Sequence, residues 1–137
     1  MSTNANVISA PGIVARFRNH QIVKGTTADF HPDRPKFHVK PTEGGASVEV
    51  EVKDLKILCF VKSYGGNPEH VPFEGWAGPN QGRKIEVTFE DGEVMHGFTV
   101  AYHPGKPGFW LIPADPDGNN VRVFVVNVAV KSIRWGQ

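Results

Sequence analysis

The side chains of this chain best equipped for chemistry are six histidines, one cysteine and a group of arginines and lysines in its first third. The histidines (His20, His31, His38, His70, His96 and His103) show no His-Glu-x-x-His or similar ligand spacing. His31 and His38 could meet across a hairpin, but no third ligand accompanies them, so no metal site is expected. Cys59 sits in the apolar run Leu58-Cys59-Phe60-Val61 and reads as a small buried hydrophobe. A single cysteine also excludes an internal disulfide and a cysteine-rich zinc site. The chain has no Gly-x-Ser-x-Gly elbow, no Cys–His pair justified by spacing, and no glycine-rich loop opening a helix. Neither catalytic residues nor a cofactor are expected. Asp115-Pro116-Asp117-Gly118-Asn119-Asn120 opens like a calcium loop. Its glycine falls at the fourth position instead of the sixth, so an Asx-rich hairpin loop is the better reading.

Two sets of residues remain as candidate binding groups. The first is a loop that occurs twice, His31-Pro32-Asp33-Arg34-Pro35 and His103-Pro104-Gly105-Lys106-Pro107. His31, His103 and Lys106 place imidazoles and a cation on a proline-stiffened tip, which could hold an anion. The prolines alone would also serve a turn. The second set is a charge asymmetry. Residues 13–41 hold Arg16, Arg18, Lys24, Arg34, Lys36 and Lys40 against Asp29 and Asp33, a net of +4. Residues 85–113 hold Lys106 against Glu86, Glu90, Asp91 and Glu93, a net of −3. If Phe17, Phe37 and Val39 point inward, strand alternation turns Arg16, Arg18, Lys36, His38 and Lys40 outward as one basic patch.

The elements that must position these groups come from an internal repeat. Shifting the chain by 72 residues superposes Ile13 on Ile85, Phe17 on Phe89, Gly25 on Gly97 and Thr27 on Thr99. His31-Pro32 falls on His103-Pro104, and Pro35, Phe37 and Pro41 fall on Pro107, Phe109 and Pro113. These are nine identities in 29 positions, where ordinary residue usage would give about two. After a three-residue insertion in the second copy, Val48 and Val50 match Val123 and Val125, and Leu55 matches Val130. Each copy reads as five short strands. Ile85, Val87 and Phe89 alternate with polar residues, as in a half-buried strand. Asp91-Gly92 is a tight-turn dipeptide, and Asn19-His20 holds its place in copy one. A second strand runs to Phe30 or Tyr102 with Gly25 or Gly97 inside it, where glycine marks a bulge or bend. A third strand holds Phe37 and Val39, or Phe109 and Leu111. A fourth turns Val48, Val50 and Val52 inward, and a fifth closes the copy around Leu55-Ile57-Leu58 or Val130-Ile133-Trp135.

The domain reading follows: a flexible N-terminus (1–12), a first repeat (13–61), a connector rich in glycine and proline (62–82) and a second repeat (83–137), packed as one domain. Phe73 and Trp76 suggest that the connector packs on the repeats. The net charge of +1 gives no global field to draw in nucleic acid or anionic membrane. No apolar run approaches the roughly 20 residues needed to span a bilayer. The start of the chain lacks the basic and apolar regions of a signal peptide, so a cytoplasmic location is expected.

The first-hairpin residues Val14-Ala15-Arg16-Phe17-Arg18-Asn19 and Ile22-Val23-Lys24-Gly25-Thr26, with their partners Ile85 to Phe89, Asp91-Gly92, Val94 and Gly97, resemble the SH3-like small barrels. Among these the pattern is most similar to the Sm-like fold, and Val125 to Ile133 is loosely similar to its last two strands. The chain also resembles a family of uncharacterised bacterial domains, through Lys24-Gly25-Thr26-Thr27 and Val123-Phe124-Val125-Val126-Asn127. The resemblance implies an all-β fold of two tandem SH3-like (Sm-like) five-stranded barrels related by a pseudo-two-fold repeat. The polar loop with which Sm-like proteins read RNA is here His-Pro-x-Arg/Lys-Pro, and their later Arg-Gly is absent. The expected function is a non-catalytic binding or adaptor module for a protein partner, docking on Arg16, Arg18, Lys24, Arg34, Lys36 and Lys40. The alternative is an RNA- or single-stranded nucleic-acid binder. Homo-oligomerisation, with the +4 face of one molecule against the −3 face of the next, is a third outcome. No membrane partner is expected.

Overall fold

The computed structural model describes residues 12–61, 82–100, 102–114 and 120–136. The N-terminus, the connector with Phe73 and Trp76, and the loop 115–119 lie outside the described residues. The first copy holds β1 (Gly12–Phe17), β2 (Ile22–Thr26), β3 (Lys36–Pro41), β4 (Val48–Glu51) and β5 (Leu55–Val61). The second holds β6 (Arg83–Phe89), β7 (Val94–Thr99), β8 (Gly108–Pro113), β9 (Asn120–Val126) and β10 (Val130–Trp135). A single 3₁₀ turn, Val52–Asp54 or Asn127–Ala129, separates the fourth and fifth strands of each copy. No helix among the described residues is long and apolar enough to cross a membrane.

All ten strands form one open antiparallel sheet in the order β10-β6-β7-β8-β9-β5-β1-β2-β3-β4. Within each copy the order is the same: fifth, first, second, third, fourth. Between copies, β5 pairs with β9, the fifth strand of one with the fourth of the other. The expected pseudo-two-fold is corrected by this pairing. A two-fold would also join β10 to β4, and those strands are the two ends of the sheet. The copies are therefore joined head to tail.

Local sequence explains the shared elements. Ile13 and Ala15 in β1, and Ile85, Val87 and Phe89 in β6, are fully buried at alternate positions. The first turn of each copy closes alike, with Phe17 N–H donating to Gln21 O and Phe89 N–H to Glu93 O. His20 takes a positive φ of 75° where Gly92 takes 93°, so the Asn-His and Asp-Gly turns are conformational equivalents. Gly25 and Gly97 serve close approach without a register shift. A Cβ on Gly25 would overlap the Lys40 carbonyl, and one on Gly97 the Leu111 side chain. The second strands end at Thr26 and Thr99, short of Phe30 and Tyr102. Phe30 instead packs edge-on against Phe37, with ring centroids 5.1 Å apart. The fourth strand is also shorter than its alternation predicts, since Val52 opens the 3₁₀ turn and Val48 is 41% exposed.

The core is double. One cluster gathers Ile13, Phe37, Val39 and Val50 of the first copy, and the other Ile85, Val87, Phe109 and Leu111 of the second. Between them stands the β5–β9 pair. Leu55, Leu58 and Phe60, with Phe124 and Val126, point into the first cluster; Ile57 and Cys59, with Val123 and Val125, point into the second. This alternation makes two adjacent strands a common wall, apolar on both faces, which is why both read as almost continuous apolar runs. Trp110 of β8 reaches across to the first cluster, 5.3 Å from Phe124 and 5.5 Å from Phe60 between ring centroids.

Candidate functional site

The charge asymmetry between the copies is partly spent inside the molecule. Arg16 on β1 meets Glu93 across the seam, Nη2 to Oε1 at 3.3 Å. Lys56 on β5 has a side chain only 6% exposed, and its Nζ donates to Asp91 Oδ2 at 2.7 Å and also to Glu93. The same ammonium lies 4.8 Å from the centre of the Phe89 ring. Asp91 and Glu93 occupy the β6–β7 turn, so the turn that shapes the second copy also delivers two carboxylates to the first. The Lys56 hydrogen bond, aided by the Glu93 N–H, holds the Asp91 carboxyl below its ordinary pKa. Close by, burial pushes the Cys59 thiol up to about 12; such a thiol is unreactive in the folded state.

The six cations expected to form one patch are divided among different surroundings. Arg16 and Arg18 stand at the seam. Arg18 donates from Nη1 to the Lys53 carbonyl at 3.2 Å. It also lines a cleft of about 440 Å³ with Asn19, Lys56, Phe89, Glu90, Asp91 and Ala129. Lys24 and Lys40 are exposed on β2 and β3, where Lys40 faces Thr26 across the ladder. Arg34 lies in the His-Pro loop. Lys36 faces Glu51 across β3–β4 and pairs with Glu49 at 3.5 Å. His38 does not meet His31. Its backbone N–H and ring Nδ1 both bind Asp29, at 2.8 and 2.7 Å, and these bonds lower the Asp29 pKa, the backbone one most. Among the described residues no group of three or more His, Cys, Asp or Glu side chains could hold a metal ion.

The two repeated loops come together at one end of the seam. Lys106 of the second reaches Asp33 of the first, Nζ to Oδ1 at 3.4 Å. Each loop is pinned at its end to the 3₁₀ turn of its own copy: Val52 N–H donates to Pro35 O, and Asn127 N–H to Pro107 O, both at 2.9 Å. In the second copy the Asn127 side chain adds bonds to the His103 and Lys106 carbonyls, each 2.9 Å. His31 works locally, its Nδ1 accepting from the Asp33 N–H at 3.1 Å. Between the loops lies a groove of about 430 Å³, lined by Pro35, Glu51, Val52, Lys53, Pro107, Val126 and Val128. Its lining pairs equivalent positions of the two copies: Pro35 with Pro107, Glu51 with Val126, and Lys53 with Val128. The groove exists because the copies meet. Sequence reasoning found the prolines but missed Val52, Lys53, Val126 and Val128. The available signal was Val128, an apolar residue at a turn, which is 53% exposed.

The fold and site define an all-β protein built as a head-to-tail tandem repeat, with a groove at its seam. Residues 9–135 match the family of unknown function DUF6982, and the chain belongs to that family. No curated protein and no solved structure matches it.

Proposed function

We propose that the chain is a non-catalytic binding module whose groove between the two His-Pro loops takes a short extended segment of a protein partner. The observation that carries this reading is the groove's composition. Prolines and valines line most of it, and its size falls in the range of ligand-binding clefts. Lys53 and Glu51 are among its lining residues, and Arg34, Lys36 and Lys106 adjoin its prolines in sequence. The ion pairs Lys36–Glu49, Lys53–Glu51 and Lys106–Asp33 have every partner 45–72% exposed. Pairs of that kind contribute about 0–1 kcal/mol and exchange readily for charges on a ligand. Each half of the sheet runs fifth-first-second-third-fourth, the order expected of SH3-like, Sm-like units, and this supports assigning both halves to that fold. The lone, buried Cys59 fits a reducing, cytoplasmic setting.

The competing reading, an RNA- or single-stranded nucleic-acid binder, is favoured by the exposed Lys24, Arg34 and Lys40. One experiment separates the two. Peptides selected from a displayed library against the whole chain are titrated against wild type, Val128→Glu and Lys24→Glu/Lys40→Glu. A groove ligand weakens by more than about tenfold with Val128→Glu and ignores the lysine variant. Failure to select any peptide, together with salt-steep binding of short single strands that the lysine variant removes, would overturn the proposal.

A further inference from the structure

The seam pairs a fifth strand with a fourth strand, and among the described residues the sheet ends in one edge strand of each kind, β10 and β4. Head-to-tail geometry makes these edges complementary in backbone: β4 of a second copy could add to β10 as β9 adds to β5. The side chains at matching positions are opposite in character. Where the seam has Ile57 and Cys59, β10 has Ser132 and Arg134; where it has Phe124 and Val126, β4 has Glu49 and Glu51. The ionic staple is missing too. Lys131 matches Lys56, but the matches of Asp91 and Glu93 are Asn19 and Gln21, and Arg16 is matched by Thr88.

The charges at the two edges are also placed so that they cannot rescue one another. In the seam register Leu58 faces Phe124 and Cys59 faces Val123. Carried over, Ile133 would face Glu49, and Arg134 would face Val48 of the second copy. Residues one step apart on a ladder lie on opposite faces. Glu49 and Arg134 would therefore be buried on opposite sides of the new wall, Glu49 beside Lys36 and Arg134 beside Glu86, and stripping water from those ion pairs is costly. Charged edges of this kind are a known protection against strand addition.

We propose that β4 and β10 are complementary docking edges for a second copy of this chain, held shut by Glu49, Glu51, Ser132 and Arg134. The chain stays a single pair of repeats, and giving its edges the seam's side chains opens head-to-tail assembly. The test uses two variants of the full chain: Glu49→Phe/Glu51→Val on β4, and Ser132→Ile/Arg134→Val on β10, the last avoiding a second thiol. Mass is followed by size exclusion with light scattering over about a hundredfold concentration range, and circular dichroism verifies the fold. Wild type and each variant alone are expected at 15.0 kDa, and the mixed variants at twice that mass. A chain carrying all four substitutions is expected to form longer, concentration-dependent assemblies. The proposal is overturned if wild type self-associates through these edges. It is equally overturned if folded variants stay monomeric when mixed, or if either variant associates alone as strongly as in the mixture.

Discussion

β5 and β10 hold the same place in the two repeats and meet different fates. β5, Leu-Lys-Ile-Leu-Cys-Phe-Val, is buried on both faces from Leu55 to Phe60 and serves two cores at once. β10, Val-Lys-Ser-Ile-Arg-Trp, turns Val130 and Ile133 toward one core and leaves Lys131, Ser132 and Arg134 exposed. The backbone position is common to both; the neighbour is not. A strand that must satisfy two cores loses its alternation, and a strand at an edge regains it. The same contrast separates β9 from β4.

The largest break in this comparison is expected from Phe124→Ala, which opens a cavity in the common wall and should cost about 3–5 kcal/mol in urea unfolding. Its counterpart Glu49→Ala should stay within about 0.5 kcal/mol. Next, Lys56→Ala leaves Asp91 and Glu93 without their buried cation. With those carboxylates 28% and 39% exposed, water recovers part of the loss, and about 2 kcal/mol is expected. Lys131→Ala, at the matching position, should be close to neutral. A third contrast is backbone to ring. A Cβ on Gly108 would overlap the Val125 carbonyl oxygen and sit 2.6 Å from the Phe124 ring, whereas the matching residue in the first copy is Lys36, whose side chain is exposed. Gly108→Ala should therefore lose about 1–3 kcal/mol, and Lys36→Ala almost nothing. The smallest effect is one of pH. Asp91 is depressed in the folded state, so its stabilisation is complete above the ordinary carboxylate value of 3.8 and is lost as pH falls through the lower folded value. Asp91→Asn should flatten stability against pH in that acid window, and Asn19→Asp should not steepen it.

The repeat, the strands of each copy and the turn equivalence of Asn19-His20 with Asp91-Gly92 were legible because they depend on local pattern and period. The head-to-tail joint was not, since nothing local states which strands of two similar units will pair. Its trace was present nonetheless in the unbroken apolar runs Leu55–Val61 and Val123–Val126, too apolar for strands with one wet face. The basic residues were legible as a set, but their partners were not. Arg16 and Lys36 carry charges whose partners come from elsewhere in the chain, Glu93 from the β6–β7 turn and Glu49 from β4. The groove was half legible: prolines announce a loop, but only the joint brings Pro35 and Pro107 together.

Cys59 gives the most direct test of the common wall. It is the only cysteine, it lies on β5 facing the second core, and it is 3% exposed. Its labelling by a thiol reagent should be measured across low urea concentrations and compared with global unfolding of the same chain. If the two copies share one wall, the thiol opens only when the whole molecule unfolds, and labelling gives the same free energy and urea slope as global unfolding. Labelling through a smaller opening with a shallow urea slope, while the rest of the fold persists, would contradict it.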